Sequence, residues 1–332
     1  MIIKTVKVSN FRSHEQFLLD CKKKVTQILG ENGCGKTSIL EAIYIVLQGK
    51  SFRATDREIV KRGTDFYRIE IEFFDGRKII VVYEEKNGKT FLIEDQKKKR
   101  LPKKNKYPVI LFEPKDLNLV GSSPTRKRDF FDRMIQQWSE KYHDSLLRYQ
   151  KALKQRNELL KKDGVTAAEF FSWNLLLAKY GVEIREMRNK MVDEINSKLT
   201  KVYREIAQNN DDILLNYESY TKDFGESEYL KILEMNFEKD LFMGHTSFGV
   251  HKDDYDFMFN EVLADGNASR GEVRSIMVAM KFIEADILEK KVKKKPLILL
   301  DDVFSELDET RQKALVKNFE DNQIILTSVE GV

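Results

Sequence analysis

The run Gly30-Glu31-Asn32-Gly33-Cys34-Gly35-Lys36-Thr37 reads G-x-x-x-x-G-K-T, the residue types and spacing of a polyphosphate cradle. Glycines let the backbone turn tightly and aim its N–H groups inward, and a helix beginning there adds the positive end of its dipole. Lys36 is the expected partner of the β- and γ-phosphates, and Thr37 supplies a hard oxygen for Mg²⁺. Gly30 through Ser38 are therefore the first candidate contacts to a nucleoside triphosphate. The alternative, a Gly/Asn loop capping an ordinary helix, does not account for all eight positions.

A second chemistry lies far along the chain, where Pro296 to Leu300 is followed by Asp301-Asp302. An apolar strand ending in paired acids is the Walker B pattern, in which one carboxylate faces Mg²⁺ and the next faces the attacking water. Asp301 is thus the candidate metal ligand and Asp302 the candidate catalytic acid, together with Lys36. Ser269-Arg270-Gly271-Glu272 opens an amphipathic helix. Ser-x-x-Glu at that place is a capping box, but a cap does not explain Gly271, which helix propensity disfavours there. Bare N–H groups at a helix start suit a terminal phosphate, so Ser269, Gly271 and Glu272 are also candidate nucleotide contacts, and both readings stand.

Cations gather in three places. Lys50 and Arg53 flank an aromatic after the cradle's helix; Lys97 and Lys98 open a basic loop reaching Lys106; Arg126, Lys127 and Arg128 lie on a predicted helix with Arg133. Each group is a candidate for a DNA phosphate backbone, against the plainer reading of a solvated surface. Arg12, in the break after the first strand, is expected near the nucleotide.

These residues need elements to hold them. Val25 to Leu29 reads as the strand before the cradle and Thr37 to Leu47 as the helix after it. Ile2 to Val8 alternates as a half-buried strand. Arg68 to Phe74, Lys78 to Glu84 and Thr90 to Glu94 form an antiparallel meander, with turns at Asp75-Gly76 and Asn87-Gly88. Pro108 to Phe112 suits a buried strand. From about Asp116 to Asp240 helical periodicity takes over: Tyr142, Leu146, Tyr149, Leu153 and Leu160 line one face, and the stripe from Tyr180 to Ile206 another. That second stripe is a rod of roughly 40 Å. The chain returns to α/β character near Met243. The expected fold is α/β, a P-loop head of residues 1–115 and 243–332 with mixed sheet and meander, interrupted by a mainly helical lobe, 116–242.

Composition narrows the class. The 58 Lys and Arg against 54 Asp and Glu leave a net charge of +4, so any contact with nucleic acid must come from local clusters. Two cysteines, Cys21 and Cys34, argue for a reducing compartment without a disulfide framework. With no membrane-length apolar run, the expected location is the cytoplasm, with no membrane partner. Cys34 sits among backbone N–H groups and is a candidate for oxidative control, against the plainer reading of a small residue that fits the loop.

The order of Walker A, a late S-x-G-E, Walker B and Ser305-Glu306-Leu307-Asp308 resembles the heads of ATP-binding-cassette ATPases. The chain further resembles the RecF family of bacterial DNA replication and repair proteins. This rests on Asn10-Phe11-Arg12, Gly30 to Thr37, Ser51-Phe52-Arg53, Phe112 to Leu117 and Gln155-Arg156-Asn157. It rests also on Gly244 to Thr246, Gly249 to Asp254, Ala268 to Glu272 and Leu299 to Asp308. The resemblance implies ATP and Mg²⁺ as cofactors, and Ser269 of one subunit meeting the γ-phosphate held by Lys36 of another. It further implies an ATP-dependent homodimer on DNA, weak DNA-stimulated ATPase activity and a place in recombinational repair and the SOS response. The dimer would mark gaps or duplex–single-strand junctions and, with the mediators RecO and RecR, help load RecA. The chain departs from the pattern at Val250, where proline is usual, in having no glutamine after Phe112, and in Thr327-Ser328 where many cassette ATPases have histidine. Asp302 is one methylene shorter than the usual glutamate, so slow hydrolysis is expected. A transporter's nucleotide-binding subunit and a structural head of the SMC kind share these motifs. The insert and basic clusters argue against the first, and the short rod against the second.

Overall fold

The computed structural model describes residues 2–221 and 223–329, so the termini of the expected head, Met1 and residues 330–332, lie outside the described residues. The chain begins with β1 (Ile3–Phe11), β2 (His14–Asp20), β3 (Val25–Leu29), α1 (Lys36–Gln48) and α2 (Asp56–Ile59). Then follow β4 (Phe66–Phe73), β5 (Lys78–Glu84), β6 (Gly88–Ile93), β7 (Gln96–Lys98) and β8 (Val109–Phe112). The middle of the chain forms α3 (Pro124–Gln136), α4 (Glu140–Leu159), α5 (Phe171–Ala207), β9 (Ile213–Glu218), α6 (Glu226–Met235) and α7 (Phe237–Met243). It closes with β10 (Asp254–Phe259), β11 (Val262–Leu263), α8 (Arg270–Val292), β12 (Leu297–Leu300), α9 (Glu309–Asn318) and β13 (Ile324–Ser328). Two compact units result, Met1–Leu117 with Glu284–Val332, and Asn118–Ile283.

The first unit holds two sheets. One is antiparallel, in the order β2-β1-β4-β5-β6-β7; the other is parallel, in the order β3-β13-β12-β8. In the parallel sheet β8 (Val-Ile-Leu-Phe) and β12 (Leu-Ile-Leu-Leu) are buried at every position, as strands covered on both faces must be. At about 1.5–3 kcal/mol per fully buried large side chain, these runs anchor the sheet in the core, β8 included although it lies at the sheet's edge. Helix α1 is apolar almost all round and buried from Ser38 to Leu47. It packs against β1, β4 and β5 on one side and β8 and β13 on the other, so the element that opens the cradle is held between the two sheets. Gly49 ends it with φ 85°, its N–H bonded to the Ile45 carbonyl.

The meander is longer than expected. The basic stretch that reads as a loop starts as β7, paired with β6 through Glu94-Asp95, both at positive φ (49° and 62°). That is hairpin-turn geometry carried by non-glycine residues, which leaves no Asn-Gly signal to find. Strand β2 was also absent from the sequence expectation; it forms a hairpin with β1.

In the second unit α5 is 37 residues long, about 55 Å rather than 40 Å, because the helix starts nine residues before the stripe's first large aromatic, Tyr180. Gly181 lies inside it, and a Cβ there would fall 2.6 Å from the Tyr229 ring of α6; glycine lets that tyrosine lie against the helix backbone. The segment expected to be mainly helical contains β9, antiparallel to β10, with β11 on the far side of β10. This pairing draws residues after Met243 into the second unit, whose boundary falls within α8 rather than near residue 243. Among the described residues no helix is long and apolar enough to cross a membrane.

Candidate nucleotide site

All four strands of the parallel sheet run the same way, so the loops after β3 and β12 meet the end of β13 at its carboxyl edge, where such sheets place ligands. Gly30 N–H bonds the Ser328 carbonyl at 3.3 Å, fixing the cradle to the end of β13. Gly35 occupies the N-cap of α1 with φ 99°. A Cβ there would strike the His14 ring and, at 2.7 Å, the Ser13 hydroxyl. Only glycine serves, and having no side chain it leaves the first N–H groups of α1 uncapped for an anion.

Lys36 donates from Nζ to the carbonyls of Gly30 (2.6 Å) and Glu31 (3.1 Å), bracing the loop, and lies 3.8 Å from Asp302 Oδ1. Thr37 Oγ1 donates to Asp301 Oδ1 at 2.7 Å, joining residues 264 positions apart, and Thr327 Oγ1 donates to the same oxygen at 3.0 Å. The Asp302 N–H bonds Thr327 Oγ1 at 2.8 Å, and Asp302 itself has φ 50°, a left-handed geometry unusual for aspartate. Thr327 thus steadies both acids. Burial pushes the Asp301 carboxyl above its ordinary value, against the hydrogen bonds from Thr37 and Thr327, so a cation beside it would relieve an existing penalty. A hydroxyl and a carboxylate within hydrogen-bond distance are the protein ligands that Mg²⁺ takes when phosphates and water complete its shell. Among the described residues no group of three or more His, Cys, Asp or Glu is placed to hold a metal by itself.

A cavity of about 680 Å³ opens over these groups, lined by Lys36, Thr37, Ser38 and Asp302 and walled by Arg12 and Arg53. Both arginines are anchored on Glu41 of α1, a fully buried carboxylate that the sequence reading passed over. Burial alone would raise its pKa; hydrogen bonds from Arg12, Ser51 and Arg53 outweigh that and hold it below the usual glutamate value. Glu31 and Asn32 are exposed in the loop, and Cys34 is exposed with its sulfur beside Gly30. His14, also unforeseen, places Nε2 3.1 Å from the Gly35 carbonyl.

In the second unit Ser269 is exposed at the start of α8. Glu272 Oε2 accepts the Ser269 N–H at 2.6 Å, and Ser269 Oγ accepts the Glu272 N–H at 3.3 Å, so the capping box is real. Gly271 follows, half-buried, in the first turn. The candidate DNA contacts fare differently. Lys97 and Lys98 are exposed on edge strand β7, and Lys50 is exposed beyond α1. Arg53 lies in the nucleotide cavity wall. In α3 Arg128 donates to the Asp253 carbonyl and to Thr125 Oγ1, and Arg126 is half-buried. Lys127 is a correction: it is 5% exposed, bound to Asp256 at 2.8 Å and Asp254 at 3.6 Å, and does not face solvent.

The segments 155–157 and 244–254 build the interior of the second unit. Buried Arg156 donates to Asn174, Asp240 and Thr246, each at 2.7 Å, while Asn157 Oδ1 accepts both the N–H and the hydroxyl of Thr246. Asp253 binds Arg188 at 2.9 Å. His251 Nδ1 lies 2.8 Å from the Tyr149 hydroxyl and Nε2 3.0 Å from the Thr246 carbonyl, the pattern of a neutral ring with its proton on Nε2. Burial lowers its pKa to about 4, partly offset by the Thr246 carbonyl. The unfolded chain, with an ordinary histidine near 6.5, therefore binds the extra proton first, and the stabilisation present above pH 6.5 is lost as pH falls towards 4. From pH 7 to pH 5 the unfolding free energy is expected to drop by about 2 kcal/mol through this residue. Denaturant titrations should show a shallower pH slope for His251→Gln; equal slopes would remove His251 as the cause.

A family model described as RecF/RecN/SMC N terminal domain matches residues 2–331. The chain is 31% identical to the DNA replication and repair protein RecF of Staphylococcus carnosus (strain TM300), covering 100% of this chain and 95% of that protein. It is 32% identical to the protein of the same name from Clostridioides difficile (strain 630), covering 99% and 92%. Among solved structures it is similar to the recombination mediator protein RecF-ATPrS in the RecFOR pathway, with TM-score 0.89 at 28% identity over 99% of this chain and 92% of the other. An SmcHead bound to the C-winged helix domain of ScpA, at 15% identity and TM-score 0.56, covers 100% and 91% and shares the fold.

Proposed function

This chain belongs to the RecF/RecN/SMC N-terminal domain family, within it to the RecF proteins, and we propose that it is an ATP-switched DNA-binding protein of replication and recombinational repair. The observation that carries the reading is the meeting of Thr37 and Asp301 at 2.7 Å beside Lys36, across 264 positions of chain. Lys36 and the N–H groups of the Gly30–Gly35 loop hold the β- and γ-phosphates, and Arg12 and Arg53 face them from the cavity wall. Thr37 and Asp301 would hold Mg²⁺, which screens phosphate charge when bound. Asp302 orients the attacking water and accepts its proton.

Ser269 and the start of α8 face the γ-phosphate of a second subunit, the positive end of the helix dipole adding to the contact, so ATP joins two copies and hydrolysis removes the contact that favours the pair. By function the proposed ATPase head is 1–115 with 243–332 and its insert 116–242, a division that differs from the compact units, which part within α8. Lys50, Lys97 and Lys98 in the first unit, and Arg126 or Arg128 in the second, are the candidate contacts to DNA phosphates at gaps or junctions. There, in the cytoplasm and with RecO and RecR, the dimer helps load RecA. The similarity to a RecF-ATPrS structure supports the nucleotide.

The test is a sizing measurement with and without ATP and gapped DNA. Wild type should become dimeric with ATP, whereas Ser269→Arg should bind ATP and stay monomeric. ATP-dependent dimers of that variant would refute contact across the interface. Hydrolysis should be slow, because the short Asp302 side chain starts from a left-handed backbone. A turnover above about 10 per second, the median for enzymes, would contradict a clamp that uses ATP mainly for holding.

A further inference from the structure

Glu41 does something that none of the motifs explains. It is the one charged residue between Thr37 and Leu47, on a helix held between two sheets, and it is fully buried. Two arginines from different loops converge on it. Arg12, from the β1–β2 turn, gives Nε to Oε2 at 3.0 Å and Nη2 to Oε1 at 2.9 Å. Arg53, from the loop after α1, gives both Nε and Nη2 to Oε2 at 3.0 Å. The Ser51 hydroxyl adds a bond to Oε1 at 2.6 Å and also accepts the N–H groups of Arg53 and Ala54, so the same carboxylate shapes the loop that carries Arg53. Arg53 Nη2 lies 3.4 Å from the hydroxyl of Ser38, two residues beyond Lys36.

We propose that Glu41 is a positioning residue of the nucleotide site: its buried carboxylate holds Arg12 and Arg53 side by side on the cavity wall, facing the phosphates. The proposal rests on the nucleotide reading above. Two guanidinium groups repel each other, and among the described residues no other carboxylate is bonded to either arginine. The fork shape of each guanidinium lets two nitrogens bond Glu41, a geometry lysine lacks; the third nitrogen of Arg12 is held by the Glu58 carbonyl at 3.2 Å, at the rim of the same cavity. The trio carries a net charge of one positive unit, placed where a polyanion enters.

Simple electrostatics and positioning predict opposite signs. Glu41→Gln removes a negative charge and leaves the wall one unit more positive, so charge alone predicts tighter ATP binding. Positioning predicts weaker binding, because the arginines lose the anchor that orients both. We expect Glu41→Gln to weaken ATP binding by roughly tenfold, with a smaller effect on ADP and none on adenosine. Arg53→Lys and Arg12→Lys keep the charge and lie at partly exposed sites that tolerate change. Each should weaken ATP binding about as much as the alanine variant does. In the Arg12→Ala/Arg53→Ala background, Glu41→Gln should add nothing, whereas a lesion in the packing of α1 would persist there.

The measurement is calorimetric titration of the full chain with ATP, ADP and adenosine, alongside melting temperature. If Glu41→Gln or Arg53→Lys binds ATP as tightly as wild type or more tightly, the proposal falls while the nucleotide site stands. Equal weakening for ATP and adenosine would also overturn it, as a structural effect. Wild type that binds no ATP would overturn the nucleotide reading first, and this inference with it.

Discussion

Lys36→Ala is expected to lower ATP affinity by at least about a hundredfold, to below detection in a micromolar titration, with little change in melting temperature. The side chain is 4% exposed and its ammonium is already aimed inward by the Gly30 and Glu31 carbonyls. Charge-assisted hydrogen bonds are worth about 1.5–3 kcal/mol each, and two to a polyphosphate give about 3–6 kcal/mol, or two to four powers of ten in affinity. Stability should hardly change. The two carbonyls lie in a loop open to the cavity, where water replaces the lost donor, and α1 stays clamped between the sheets by its own apolar faces. Lys36→Arg should not rescue, because a planar fork does not fit where the ammonium is braced. An affinity within tenfold of wild type, measured by titration of the folded protein, would remove the cradle from its assigned role.

The cradle was legible because all its parts are contiguous and each obeys a local rule: glycines at the turn, lysine and threonine at the helix start. Asp301-Asp302 was legible for a similar reason, since a run of four buried apolar residues ending in acids needs no knowledge of its partners. What failed to show were relations between distant residues. Lys127 looked like part of a basic patch, yet consecutive helical residues point about 100° apart, so Arg126, Lys127 and Arg128 cannot share a face, and one was bound to turn inward. The structure turns Lys127 to Asp254 and Asp256. Strand β9 was hidden because six alternating residues lie between helices with much stronger periodicity, and its partner β10 begins 36 residues after β9 ends. Glu41 did leave a signal, a single carboxylate in an apolar helix, which must be paired if buried. The sequence could not say with which of 58 cations.

The same reasoning gives the largest expected effect on folding. Arg188, 2% exposed in α5, donates to both oxygens of Asp132 at 3.0 and 3.1 Å, to Asp253 Oδ2 at 2.9 Å and to the Val250 carbonyl at 2.8 Å. Tyr142 donates to Asp132, and Tyr217 to Asp253. One guanidinium therefore joins α3, α5 and the turn before β10. Arg188→Met fills nearly the same volume but leaves two carboxylates enclosed without a counter-charge, a situation that costs about 3–5 kcal/mol. Urea unfolding should show a loss of that size, with hydrogen exchange fastest in α5 and β10. The triple change Arg188→Met, Asp132→Asn and Asp253→Asn should recover much of it, because it is the unpaired charge that destabilises and the ion pair itself contributes little net stability. A loss under about 1 kcal/mol for the single variant would mean that water reaches these carboxylates. If the triple variant were no better than the single one, the geometry that Arg188 imposes on three elements, and not its charge, would be what holds the second unit together.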